Sequence, residues 1–171
     1  MKSLLIAGVL AVCSATFYPV SAIADSKDTL VEKDVKFVKT AASDGMGELK
    51  VAELGVKKAE NADVKAFAEM LVKDHTANNM ELKALAEKKG VDVSSIVEEK
   101  IVNKVKDLEK QSGPGFDEAF LKFMEKDHKD CIDKFEDGQK NVRDGDVKAY
   151  IDKTLPVLRA HHDKVKALMK K

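Results

Sequence analysis

The chain contains no tryptophan, only two tyrosines and three prolines, and two cysteines in 171 residues. Long β-branched runs are also absent, which argues against a sheet-built core. One of the cysteines, Cys13, directly follows the N-terminal apolar run, leaving Cys131 alone in the remainder. A single cysteine rules out an internal disulfide, so packing has to hold the fold together. Thirty basic residues balance thirty acidic ones. That balance offers no basic excess for nucleic acid or an anionic membrane, and no acidic tail. What remains is rich in Ala, Lys, Glu, Leu and Val, the composition of a helical bundle.

Residues 1–24 read as an export leader rather than as structure. Lys2 supplies the positive start, residues 4–12 are apolar, and Pro19 precedes Ala22-Ile23-Ala24. This is the pattern of a cleavable signal peptide, cut after Ala24. The apolar run is too short for a membrane span. The expected product is a single domain of residues 25–171, exported and periplasmic, with no membrane span after processing. It could form a homo-oligomer, and no protein partner is indicated.

Helical periodicity dominates that domain. In residues 64–85, Val64, Phe67, Ala68, Leu71, His75, Asn78, Leu82 and Leu85 follow one another at steps of three and four. They form one stripe of a 3.6-residue period, with a histidine where a leucine belongs. A first helix is expected over about 30–60, with Gly45, Gly47 and Gly55 meeting a packing or site requirement or marking a kink. The second runs from an Asp63 cap to Lys89, with Gly90 as its stop. Ser95-x-x-Glu98 reads as a capping box opening a shorter crossover helix over about 96–111. Gly113-Pro114-Gly115 ends it, and Asp117 is expected to cap a helix over about 118–142. The last helix spans about 147–169, with Pro156 expected to kink it. The fold class is all-α: two helical hairpins joined by a crossover helix.

Four polar groups fall on buried stripes. Glu48 lies about 13 residues before the first hairpin turn and His75 about 13 after it. His128 stands about 16 residues before the second turn, and His161 or His162 about 16 after it. Each pair is therefore level, roughly 20–25 Å from its turn at 1.5 Å per residue. Periodicity does not choose between His161 and His162, because Leu158 and Val165 flank both. Three imidazoles and a carboxylate suit zinc, iron, manganese or copper. Asn79 is placed to orient the His75 ring. Glu125-x-x-His128 resembles half of a di-iron signature, but Val72 and Leu158 stand where the other half requires a carboxylate. Asp74 and Asp127 are expected to face solvent. Cys131 is read as a small buried hydrophobe, with a metal thiolate or a linked dimer as alternatives. No nucleophile–base constellation or phosphate loop is present.

Phe37-Val38-x-x-Ala41-Ala42, Gly47-Glu48-Leu49, Ala66-Phe67-Ala68-x-Met70 and Asp74-His75 stand in order along the chain. Ser112-Gly113, Phe116-Asp117 and Leu155-Pro156-x-Leu158-x-x-His161 follow. Together they resemble the exported bacterial family catalogued as domain of unknown function 4142, over residues 37–168. The resemblance implies a ferritin-like four-helix bundle and His161 over His162. It also implies that Glu48, His75 and His128 are shared positions. Members often carry an outer-membrane label, which no barrel-type strand alternation supports here.

The expected function is that of an exported bundle binding one metal ion at a mid-bundle Glu/His site, in a binding, storage or envelope stress role. The alternatives are a metal-free envelope stress or interaction module, and a metal-dependent redox or hydrolytic enzyme.

Overall fold

The structure is a computed structural model that describes residues 30–94 and 99–170. The expected leader and the Ser95–Glu98 capping box lie outside the described residues. Among those described, there are five helices and no strand: α1 (Glu32–Lys58), α2 (Ala62–Lys88), α3 (Glu99–Glu109), α4 (Gly113–Asn141) and α5 (Gly145–Leu168). The first pair, α1 and α2, forms one hairpin, and α4 with α5 forms the other. The hairpins dock through α1 against α4 and α2 against α5, while α3 crosses between them and lies on α1 and α4. Among the described residues, no helix is long and apolar enough to cross a membrane.

Local chemistry sets most of the helix ends. Asn61, rather than the expected Asp63, caps α2: its side-chain oxygen accepts from the backbone N–H of Asp63 at 2.8 Å and of Val64 at 3.3 Å. Asp144 does the same for α5, accepting from Asp146 and Val147. Beyond α2, Gly90 takes φ +71°, and the Val91 N–H reaches back to the Ala86 carbonyl at 2.8 Å. This is the left-handed stop that glycine makes cheaply.

The helix-C boundary differs from expectation. Gly113-Pro114-Gly115 does not merely end α3; it forms the first turn of α4. Proline fits there because its fixed φ suits the first turn and its missing N–H has no partner to lose. Asp117 is thereby freed from capping its own helix. Its carboxylate instead accepts from the backbone N–H groups of Glu60 at 3.3 Å and Asn61 at 2.8 Å, in the α1–α2 turn. Asp34 on α1 returns the favour at the other end, accepting from Arg143 at 3.0 Å and Asp144 at 2.9 Å in the α4–α5 turn. Each hairpin's turn is thus held by a buried carboxylate of the other hairpin.

The apolar core comes in two parts. Phe67, Leu71, Phe116, Phe120, Met124 and Val165 fill the end near the α1–α2 turn. Val38, Leu82, Phe135, Tyr150, Ile151 and Leu158 fill the end near the α4–α5 turn. Buried polar groups on four helices lie between them in chain order: Glu48, His75, His128 and His161. The glycines of α1 mark close approaches. A Cβ on Gly55 would meet the Phe120 ring at 2.7 Å, and one on Gly47 would meet Ile101 of α3 at 2.9 Å. The last helix, α5, runs on through Pro156.

The paired clasps give a direct test. Asp34→Ala or Asp117→Ala leaves two turn N–H groups without their acceptor. Each should lower unfolding free energy by about 1–3 kcal/mol in urea titration while helical content is retained. Exposed carboxylates such as Glu53, replaced in the same way, should stay within about 0.5 kcal/mol.

Candidate metal centre

The apolar stripe of α2 carries His75 inward; α4 presents His128 and α5 presents His161 at the same level. The three rings form a near-equilateral cluster, with centroids 5.6 Å (His75–His128), 5.4 Å (His75–His161) and 5.3 Å (His128–His161) apart. All three are at least 97% buried. Each can offer a ring nitrogen such that the three atoms lie within 4.8 Å of one another. Periodicity could not separate His161 from His162; the fold does. His161 enters the cluster, whereas His162 stays at the rim and pairs with Glu125 at 3.2 Å. Glu125 is therefore a partner of His162, not part of a ligand set around His128.

Hydrogen-bond partners outside the cluster set the tautomers. The Nδ1–H of His128 donates to the Met124 carbonyl at 2.9 Å, since a carbonyl can only accept. The Nε2–H of His161 donates to the Asp74 carboxylate at 3.0 Å. The inner nitrogens, His128 Nε2 and His161 Nδ1, are then both lone-pair bearers, and they face each other at 3.3 Å. Nitrogens bound to one tetrahedral ion at ~2.0–2.1 Å stand ~3.3 Å apart. The third ring has Nδ1 3.5 Å from Glu48 Oε2, and its buried Nε2 has no hydrogen-bond partner. The donor set therefore fits a cation. Outer partners hold two of the rings, and an imidazole nitrogen is left over.

Burial shapes the protonation of these groups. It lowers the His75 pKa well below the imidazole range, with His128 and His161 adding to the effect. It takes His128 down to about 4 against the pull of the Met124 hydrogen bond. His161 is lowered less cleanly, because Asp74 opposes burial. All three rings are thus neutral at pH 7, the form in which imidazole binds metal.

The fourth expected ligand stands to one side. Glu48, 2% exposed, has Oε2 against His75 Nδ1 and Oε1 3.5 Å from His128 Nδ1, on the outer edges of those rings. On its other flank it meets Asp127 and Cys131 of α4, where the three residues bring one donor atom each within 4.8 Å of one another. Burial raises the Glu48 carboxyl to about 8, and Asp44 adds to this. Asp127 is likewise pushed up to about 8 by burial and then by Glu48. The Cys131 thiol, buried and free, is raised well above its usual range by burial first and the carboxyls second.

Two solvent-facing expectations are corrected here. Asp74 turns across to α5 to hold His161, and Asp127 buries an oxygen beside Glu48. Each lies about 100° around its helix from the neighbouring histidine, at the edge of a different helix, so each stays partly exposed while also reaching a partner inside. The expected ring-orienting role of Asn79 is also corrected. Its amide donates to the Gly45 carbonyl of α1 at 2.9 Å, because glycine there lets α2 come close. Asn78, hidden in the apolar stripe, instead builds a polar link to α5. It donates to Tyr150 Oη at 2.7 Å and accepts from Thr154 Oγ1 at 2.9 Å. An opening lined by Met70, Asp74, Val157, Ala160, His161 and Lys164 leads from solvent to the His161 edge.

With fold and site described, the chain can be placed among known proteins. The family model described as "Domain of unknown function (DUF4142)" matches residues 20–168, and the chain belongs to that family. No curated protein matches it. Among solved structures, it is similar to a DUF305 fragment from Deinococcus radiodurans at 12% identity, covering 83% of this chain and 98% of that one, with a TM-score of 0.74. It is also similar to CopM in a Cu(I)-bound form, at 15% identity over 80% of this chain and 95% of that one, with a TM-score of 0.67. The Cu(II)-bound form of CopM gives 16% identity, the same coverage and a TM-score of 0.68. At these identities the likeness shows a shared helical bundle.

The carboxyls make a signed prediction for the metal-free protein. Glu48 and Asp127 keep protons in the folded state up to about pH 8, whereas the unfolded chain releases them near 4.5 and 3.8. Stability from these groups is full below those unfolded values and is lost as pH rises through about 8. Between pH 7 and 8 the buried histidines are neutral in the folded state and mostly neutral in the unfolded chain, whose ordinary value is 6.5, so they add only a small opposing slope that fades toward pH 8. Stability measured with chelator present should fall over that interval, at most by ~1.4 kcal/mol per pH unit for each proton retained. Glu48→Gln should flatten the slope; an unchanged slope would place the titration elsewhere.

Proposed function

We propose that this protein is an exported metal-binding bundle whose His75, His128 and His161 hold one late first-row transition-metal ion, in a binding, storage or envelope stress role. The observation that carries this reading is the pair of lone pairs, His128 Nε2 and His161 Nδ1, fixed face to face at 3.3 Å by partners on their far sides. Two lone pairs at that distance repel unless a proton or a cation lies between them. The unpartnered Nε2 of His75 supplies a third donor, which a shared proton would leave unused.

Copper is the first candidate. Imidazole suits copper, zinc, iron and nickel, and among divalent ions copper binds such sites most tightly. The CopM forms of similar fold are copper-bound, which agrees with this choice. A bound ion would cancel the repulsion of the facing nitrogens and tie α2, α4 and α5 together at mid-height. Asp74 positions His161 by accepting its outer N–H, the arrangement that fixes ring orientation at metal-bound histidines. Export follows from the leader-like residues 1–24, and the periplasm is the proposed compartment.

Elemental analysis of the untagged protein tests the reading. One equivalent of metal is expected, absent from His75→Ala and His128→Ala variants that keep the helical spectrum. No metal on isolation, and none taken up on titration with copper, zinc, iron or manganese, would instead leave a polar layer that only sets helix register. At a free-ion concentration of 1,000 Kd the bound ion should add about 4 kcal/mol of stability, removable by chelator. Asp74→Ala should weaken metal affinity ~10–100-fold without abolishing it.

A further inference from the structure

From the arrangement on the other side of Glu48, we infer a second cation site in this protein, formed by Glu48 of α1 with Asp127 and Cys131 of α4, for a borderline divalent ion of the zinc class. It stands independently of the three-histidine reading. Three observations lead to it. The donor atoms of the three residues lie within 4.8 Å of one another. Glu48 Oε1 and Asp127 Oδ2 are both buried without a hydrogen-bond partner. Glu48 is 2% exposed, so its carboxyl is shut off from solvent with only the His75 and His128 edges at 3.5 Å, Asp127 and Cys131 beside it, a poorly satisfied buried acid of the kind that native structures rarely leave unmet.

The local fold explains how such a site would be built. Asp127 and Cys131 are four residues apart on α4, which puts both side chains on one helix face, a spacing suited to chelation. Glu48 meets them from α1, one turn beyond Asp44. The helix α3 covers this region: Ile101, 3% exposed, packs over Gly47, the neighbour of Glu48. Asp127 also lines an open groove beside α3, together with Ile101, Lys104, Phe123 and Lys126, which gives an ion a way in. The lysines nearby do not fill the site. Lys134 is paired with Asp44, and Lys126 with Asp130.

One thiolate and two carboxylates suit zinc and its neighbours, since these ions accept sulfur and oxygen together. Binding would proceed with release of the Cys131 thiol proton and any carboxyl proton to water, as metal binding by protonated ligands requires. No oxidation is involved. Glu48 would then stand between two metal positions, its carboxylate backing the His75 and His128 rings on one side and serving as a ligand on the other.

Cobalt(II) is the probe, because a Co²⁺–thiolate bond gives an intense near-ultraviolet charge-transfer band and a purely imidazole site gives none. The untagged full chain, kept reduced and free of oxygen, is titrated with Co²⁺ alone. Wild type should develop the thiolate band, and the His75→Ala/His128→Ala double variant should keep it. Cys131→Ser should lose the band and one equivalent of bound cobalt, with its helical spectrum intact. Asp127→Asn should weaken the band-forming step at least tenfold, which keeps the test usable if Cys131→Ser fails to fold. Cobalt bound by wild type with no thiolate band would overturn the second site and leave the three-histidine reading standing. So would equal stoichiometry in wild type and Cys131→Ser. A thiolate band in the double variant, from a protein whose native metal content does not depend on His75, would leave this inference standing and sink the other.

Discussion

Burying polar groups in the middle of an apolar bundle is the constraint on which the rest of this molecule depends. Glu48, His75, His128 and His161 sit between two hydrophobic clusters, each contributed by a different helix. Taking such groups out of water is costly unless each finds a partner. The structure meets the demand in part. His128 is tied to a carbonyl and His161 to Asp74, while Glu48 Oε1 and His75 Nε2 are left without hydrogen bonds. The unmet remainder is what gives the layer its chemical interest. A layer built only to set register would gain from full satisfaction, since half-satisfied polar networks are worse than apolar packing.

Around this layer the scaffold is rigidly specified. The two clasps from Asp34 and Asp117 couple each hairpin's turn to the other hairpin. They fix the axial registration of α1 against α4 and so the heights at which Glu48 and His128 meet. At one end, buried Lys89 reinforces the same junction through Asp144 at 2.6 Å. The Asn78–Tyr150–Thr154 link does comparable work between α2 and α5. The mid-bundle cluster thus rests on elements whose relative shifts are restrained at both ends, which suits a site that needs ring nitrogens placed to within a fraction of an ångström.

The protonation pattern follows from the same burial. The imidazoles are kept neutral and the nearby carboxyls keep protons, so the layer carries little net charge when empty. Cation binding would reverse this by displacing protons from the carboxyl side while using the lone pairs on the imidazole side.

Much of this was legible in residues alone. The apolar stripes fixed four long helices and a crossover, because a 3.6-residue period is a property of the chain itself. Turn-to-residue distances placed Glu48 level with His75 and His128 level with His161 or His162, because rise per residue is constant along a helix. What periodicity could not supply was rotation relative to neighbours. His161 and His162 are symmetric on their own stripe, and only packing against α2 and α4 puts His161 inside. Asp74 and Asp127 look solvent-facing on isolated helices, and become a histidine partner and a Glu48 neighbour only because α5 and α1 lie against those faces. Asp117 was readable as a local cap, and turned out to clasp a distant turn once proline took over the start of α4. Heights, helix lengths and the apolar faces are one-dimensional properties and belong to the sequence. Tautomers, ring-to-ring distances and the division of Glu48 between two clusters depend on how four helices meet, and only the tertiary structure decides them.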